Sequence, residues 1–178
     1  MSTVRTIRPE EGLSQPLAES IYEVANSIWP PSREKPGPSL EQTWSRWREQ
    51  ESAHFLIVQD AQVLAHSLIF PRIISTVSGP MRIGALATVF VHPSFPGRGW
   101  GVAVVKAAFD YLPEIEANLS LFQTGVPEFY EALGARRISN RFVNGDSLEN
   151  PFWDICEMIY PGKSAWSEGL IDLNGPGY

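Results

Sequence analysis

The chain has 178 residues, 43% of them hydrophobic and 19% charged, which suits one folded domain and excludes a disordered chain. Fourteen basic against twenty acidic residues leave a net charge of -6, so the basic face needed for sequence-independent nucleic-acid binding is missing. The single cysteine, Cys156, excludes an intrachain disulfide framework. With no run near the roughly 20 apolar residues of a membrane span and no apolar signal core in Ser2–Pro9, a soluble, cytoplasmic protein is expected.

Val4–Ile7 is short enough for a strand. Ser14 before Pro16 marks a helix start, after which Leu17, Ile21, Val24 and Ile28 fall on one face. Four prolines make Trp29–Pro38 a loop. Ser39 with Gln42 forms a capping box for a second helix through Gln50, with Trp44 and Trp47 on one face. His54–Gln59 and Gln62–Ile73 are β-rich and joined by Asp60-Ala61 as a hairpin. Met81–Val91 is the longest strand candidate. Gly99–Leu112 reads as a helix with Val102, Val105, Ala108 and Phe109 inward. Leu119–Gln123 is a short strand, and Pro127–Leu133 a helix with Gly134 as left-handed cap. Ile138–Val143 and Phe152–Tyr160 read as a final strand pair. The expectation is one domain over residues 1–178, a mixed α/β sheet with helices on both faces, and residues 161–178 as a tail packed on it.

The stretch from Val89 to Ala103 carries the chemistry. A strand ends, the turn Gly97-Arg98-Gly99-Trp100-Gly101 follows, and a helix begins. Free N–H groups and the positive helix end converge there, which makes an anion site, and Arg98 adds a cation. Alone, such a turn is also ordinary strand-to-helix punctuation. It is no Walker loop, because Lys and Ser/Thr do not follow Gly101, and it fits a dinucleotide fingerprint poorly.

Strand, V-x-P, then G-x-G-x-G opening a helix resembles motif A of the GNAT N-acetyltransferases, usually Q/R-x-x-G-x-G/A. Gly99 and Gly101 take the small positions, while Pro96, which lacks an N–H, stands where Gln or Arg is expected. Val126-Pro127-Glu128-Phe129-Tyr130-Glu131-Ala132-Leu133-Gly134 resembles a second motif of the same family, x-x-F-Y-E-K-L-G-F. The resemblance covers roughly Val4 to Tyr160. It implies a mostly antiparallel sheet splayed around strand four, acetyl-CoA or another acyl-CoA as co-substrate without a metal, and direct transfer to a small-molecule amine by a monomer or homodimer.

The resemblance also implies roles. Tyr130 is the general acid, although aromatics on a short helix are often core. Gly97, Arg98, Gly99, Trp100 and Gly101 hold phosphates. A backbone N–H within Val89, Phe90 and Val91, where the strand bulges, receives the thioester oxygen. Gln123 replaces a family Asn on the cofactor side. No general base stands out: His66, Asp154, Glu157 and ordered water are candidates, with His66 and Asp154 on the substrate side and His66 equally as a core histidine. The tail, with Ile171, Leu173 and an I-D-x-N-G-P run, resembles that of nodulation N-acyltransferases and, more loosely, aminoglycoside 2′-N-acetyltransferases. By that likeness Asp172 and Tyr178 meet a cationic amine; otherwise the tail covers core. A sensor that binds acyl-CoA without transferring it, and an enzyme for longer acyl chains, stay open beside acetyl transfer.

Overall fold

The computed structural model describes residues 3–34 and 36–178; the expected polar start at residues 1–2 and the Lys35 part of the proline loop lie outside the described residues. The chain divides into two compact units, Met1–Phe70 with Thr88–Ala108, and Pro71–Ala87 with Phe109–Tyr178.

The first unit holds β1 (Arg5–Ile7), α1 (Gln15–Ile28), α2 (Leu40–Glu49) and β2 (Ala53–Gln59). It also takes the opening of β3 (Gln62–Thr76), the end of β4 (Gly79–Val91) and most of α3 (Trp100–Asp110). Leu17, Ala18, Ile21 and Val24 are the buried stripe of α1, as the helical spacing requires. The Ser39–Gln42 capping box forms with both bonds, 3.2 and 2.9 Å, satisfying two orphan donors at the start of α2. Trp47 is buried, while Trp44 on the same face is half-buried under the Arg48 guanidinium.

The second unit holds the rest of β3 and β4, then β5 (Ser120–Thr124), α4 (Pro127–Glu131), β6 (Arg136–Ile138), β7 (Arg141–Val143), β8 (Cys156–Tyr160) and β9 (Leu170–Asp172). Among the described residues nine strands form one mixed sheet in the order β1-β2-β3-β4-β5-β8-β6, with β9 paired to β3 and β7. Most pairs are antiparallel, but β4–β5 and β7–β9 run parallel.

Two expectations are corrected. Ile138–Val143 is not one strand. Asn140 breaks it: its side-chain amide donates to Ser167 O and Gly169 O at 3.0 and 2.8 Å and accepts from Trp166 Nε1 at 2.6 Å. The residues before Asn140 pair with β8 and those after it pair with β9. Phe152–Tyr160 is likewise shortened to Cys156–Tyr160, because the N–H groups of Trp153 and Asp154 both donate to Gln123 Oε1 at 2.8 Å.

The tail is a structural part of the second unit. Ile171 and Leu173 are fully buried, and Asp172 Oδ1 accepts from Gly145 N and Asn174 N. A side chain at 177 is barred by close approach, because a Cβ there would run into the Pro151 carbonyl, whereas one at 175 would displace the end of the Arg72 side chain. Ile171→Ala should therefore lower the unfolding free energy by about 2–4 kcal/mol in urea titration, as for other large-to-small core changes. Ile155→Ala, at an 80% exposed site, should stay within about 0.5 kcal/mol of the parent.

Candidate active site

In the first unit the loop before α3 bends through two left-handed residues, Gly97 at φ +73° and Gly99 at φ +72°. The first bond of α3 runs from Ala103 N to Gly99 O at 3.1 Å. The N–H groups of residues 97–102 donate to no protein acceptor among the described residues, which leaves a row of donors at the positive end of an 11-residue helix. Arg98 is exposed and lies 5.3 and 5.1 Å over the rings of Phe95 and Trp100, which hold its charge beside those donors.

The end of β4 departs from extended geometry at Thr88, φ +49°, one residue before the segment in which a bulge is expected. A β-branched residue is strained there. The Thr88 carbonyl accepts from His66 Nδ1 at 2.7 Å. A neutral His66 ring with its hydrogen on Nδ1 presents a lone pair at Nε2, so His54 Nδ1–H donates to it across 3.1 Å. Both rings are buried beside Trp47. Burial brings His66 down to about 4, and burial followed by repulsion from His66 takes His54 well below its ordinary value. His66, named above as a candidate base, is thus a buried histidine with both nitrogens engaged.

In the second unit Tyr130, on α4, is 5% exposed and packs on Phe122 and Phe129, with ring centroids 4.7 and 4.8 Å away. Burial, then the Asp154 carboxylate, pushes its phenol far above the usual range, so it stays protonated. Asp154 is exposed and sits beside Gly125, where a Cβ would lie 3.3 Å from Oδ1. Glu157 accepts from Asn150 Nδ2 at 3.3 Å. Burial raises the Cys156 thiol, which argues against an activated nucleophile.

Gln123 differs most from its expected role. Its oxygen takes the Trp153 and Asp154 N–H groups, and its Nε2 donates to Tyr178 O at 2.7 Å. Its carboxamide is committed to protein rather than to a cofactor. Asp172 is likewise occupied as a turn cap. The positive charge near Asp172 and Tyr178 is internal: Arg72 donates to Pro176 O at 2.7 Å and lies 5.2 Å over the Tyr178 ring. A shallow open depression of about 270 Å³ beside the tail is lined by Glu149, Asn150, Trp153 and Pro176 among others.

The Acetyltransferase (GNAT) family model matches residues 18–135 of this sequence. The chain belongs to the GNAT acetyltransferase family. No curated protein sequence matches it. Solved structures agree on the fold. The GNAT family N-acetyltransferase YhbS from Escherichia coli, in complex with CoA, has a TM-score of 0.65 at 14% identity, covering 98% of this chain and 91% of its own. A GNAT family acetyltransferase from Staphylococcus aureus Mu50 gives 0.63 at 16% identity, covering 90% and 100%. A probable N-acyltransferase from Enterococcus faecalis V583 gives 0.59 at 13% identity over 75% of this chain, which spans about a third (32%) of that protein's length.

In this GNAT chain the structure brings Arg98 and the turn glycines together, Tyr130 with Asp154, and Gln123 with Tyr178. Sequence reasoning missed Arg72, a cation in an apolar strand whose charge was itself the signal, and His54, the hidden partner of His66. Among the described residues no group of three or more His, Cys, Asp or Glu is arranged to hold a metal, and no helix is long and apolar enough to cross a membrane.

The histidine pair has a testable linkage. Both folded-state values lie below the unfolded 6.5, so the unfolded chain binds more protons at mildly acid pH. Stability is full above about pH 6.5 and falls as the pH drops toward 4, by up to about 1.4 kcal/mol per pH unit for each imidazole. Urea titrations at several pH values should show this slope, and His54→Gln should remove about half of it.

Proposed function

We propose that the chain is an acyl-CoA-dependent N-acyltransferase that moves an acyl group directly to a primary amine of a small acceptor. The observation that carries the reading is the row of unpaired N–H groups between Gly97 and Val102 at the start of α3. Charge-assisted bonds are worth roughly 1.5–3 kcal/mol each, so a few such donors outweigh the helix dipole, at about 0.3–1 kcal/mol, in holding a pyrophosphate. Pro96 withholds one donor, and Arg98 supplies a cation beside the rest. The YhbS structure with CoA supports the same reading by fold.

Each residue then has a task. The N–H groups of the turn and Arg98 hold the phosphates. A main-chain N–H within Val89–Val91 receives the oxygen that gains charge as the neutral amine attacks the carbonyl carbon. The new C–N bond forms while the C–S bond breaks, its electron pair leaving with sulfur. Tyr130 donates its proton to that sulfur and is reprotonated by solvent, while the acceptor nitrogen sheds its extra proton to water. Asp154, exposed and close enough to act on Tyr130, is the carboxylate best suited to attract a cationic amine.

A binding-only role is favoured by Pro96 and by a general base that stays unassigned. Calorimetry with acetyl-CoA, followed by thiol release across an amine panel, separates the two: binding without acceptor-dependent release makes the chain a sensor. For the enzyme, Tyr130→Phe should lower kcat by roughly 10–1,000-fold with little change in acyl-CoA affinity. An unchanged kcat removes Tyr130 from the chemistry. Because the phenol titrates far above its usual range, the parent's pH–rate profile should show no falling limb from Tyr130 up to about pH 10. Gly99→Val, which forces a β-branched residue to φ +72°, should weaken CoA binding by about 10-fold or more.

A further inference from the structure

The bend in β4 is tied to two buried side chains, and the tie has a direction. Thr88 sits at φ +49°, where a β-branched residue persists only if its surroundings fix it. Its carbonyl accepts from His66 Nδ1–H at 2.7 Å, and His66 Nε2 accepts in turn from His54 Nδ1–H at 3.1 Å. The rings of Trp47 and Phe90 close on the pair, 5.2 Å from His54 and 5.3 Å from His66. Just past the end of β4, His92 N donates to Leu64 O at 2.8 Å, so the chain is there back on main-chain bonding to β3. All of these residues belong to the first unit.

A trans peptide group is planar, and its carbonyl and the following N–H point to opposite sides. The bond from Thr88 to Val89 is trans, since the cis bond among the described residues is Tyr160–Pro161. Fixing the Thr88 oxygen on His66 therefore aims the Val89 N–H away from the histidines. Such a tie needs one tautomer, with the hydrogen on Nδ1 of His66. His54 secures it by offering its own N–H to Nε2, and burial keeps both rings neutral at neutral pH. A leucine would fill the same space and leave the Thr88 oxygen without this donor.

We propose that His66 is a positioning residue: it holds the Thr88 carbonyl so that the Val89 N–H meets the acyl oxygen of the bound thioester, and His54 locks the tautomer it needs. Neither histidine touches a reacting atom. The proposal rests on the acyl-CoA reading above, in which a main-chain N–H of Val89–Val91 receives that oxygen. A donor aimed in advance needs no reorganisation as charge develops, whereas misplacement by about 1 Å can cost about 100-fold in rate.

The test uses the full chain with acetyl-CoA and free CoA, so no acceptor is needed. In proton–nitrogen NMR the Val89 amide proton of the parent should move downfield with acetyl-CoA and not with free CoA. By calorimetry the parent should prefer acetyl-CoA to free CoA by about 3–10-fold, the worth of one added hydrogen bond. His66→Leu should abolish both the shift and the preference while binding free CoA as the parent does. His66→Asn, whose amide can donate from the place of Nδ1, should keep them. His66→Gln, whose longer side chain carries its amide to the place of Nε2, should not. If His66→Leu fails to fold, the Asn and Gln variants and the parent spectrum decide. A parent Val89 amide indifferent to the acetyl group, a folded Leu or Gln variant with the parent's preference, or an Asn variant that behaves as Gln does overturns the proposal. Equal loss of affinity for both ligands in a folded variant also overturns it, because it marks a purely structural role. Failure of the parent to bind either ligand overturns the acyl-CoA reading itself, a distinct outcome because it appears before any variant is compared.

Discussion

The carboxamide of Gln123 is the interaction on which the second unit turns. One side chain satisfies two neighbouring N–H groups and one main-chain oxygen, from segments about 30 and 55 residues away in the chain. A half-buried amide has few other ways to meet its hydrogen-bonding needs. Its oxygen draws the 153–154 backbone out of the sheet, so β8 begins only at Cys156, and its nitrogen anchors Tyr178. Asp154 stands where it does because its own N–H is held by this oxygen. The geometry beside Tyr130 follows from a residue that itself need not touch a reacting atom.

The first unit depends on a different kind of constraint. His54 and His66 are kept neutral by burial, and each ring's tautomer is dictated by the acceptor at the end of the chain, the Thr88 carbonyl. A strained backbone residue persists when its surroundings over-determine it. Here two imidazoles and the ring of Phe90, 5.3 Å from His66, do so. Both units therefore use hydrogen-bonded polar side chains to set local backbone shape.

Much of this was legible in the sequence. The capping box at Ser39, the stripe on α1, the hairpin at Asp60-Ala61 and the glycine turn each follow from local chemistry, and all four appear as read. The His54–His66 contact could not be read, for a definite reason. A regular two-residue hairpin would set His54 opposite Ser67, with His66 on the other face. A register shift between Ile57 and Val58 instead pairs His54 with Leu68 and His66 with Leu56, which puts both rings on one face. The breaks at Asn140 and before Cys156 were hidden too, because their causes lie in the tail and at Gln123, far along the chain. The likeness to two GNAT motifs gave the family, and the 18–135 match confirms it. The placement of Gln123 and Asp172 depended on tertiary partners that no motif encodes.

The turn before α3 has one more consequence. Around Gly97 and Gly99 a Cβ would meet nothing within 4 Å, yet both residues sit at positive φ. The selection for glycine there is one of handedness and not of room. A D-alanine introduced by chemical ligation would suit the same backbone, with its methyl in open space and every N–H still directed as before. The turn is, in that sense, a mirror-image fragment set into an otherwise L-handed chain, and glycine is the one coded residue that can stand on both sides of the mirror.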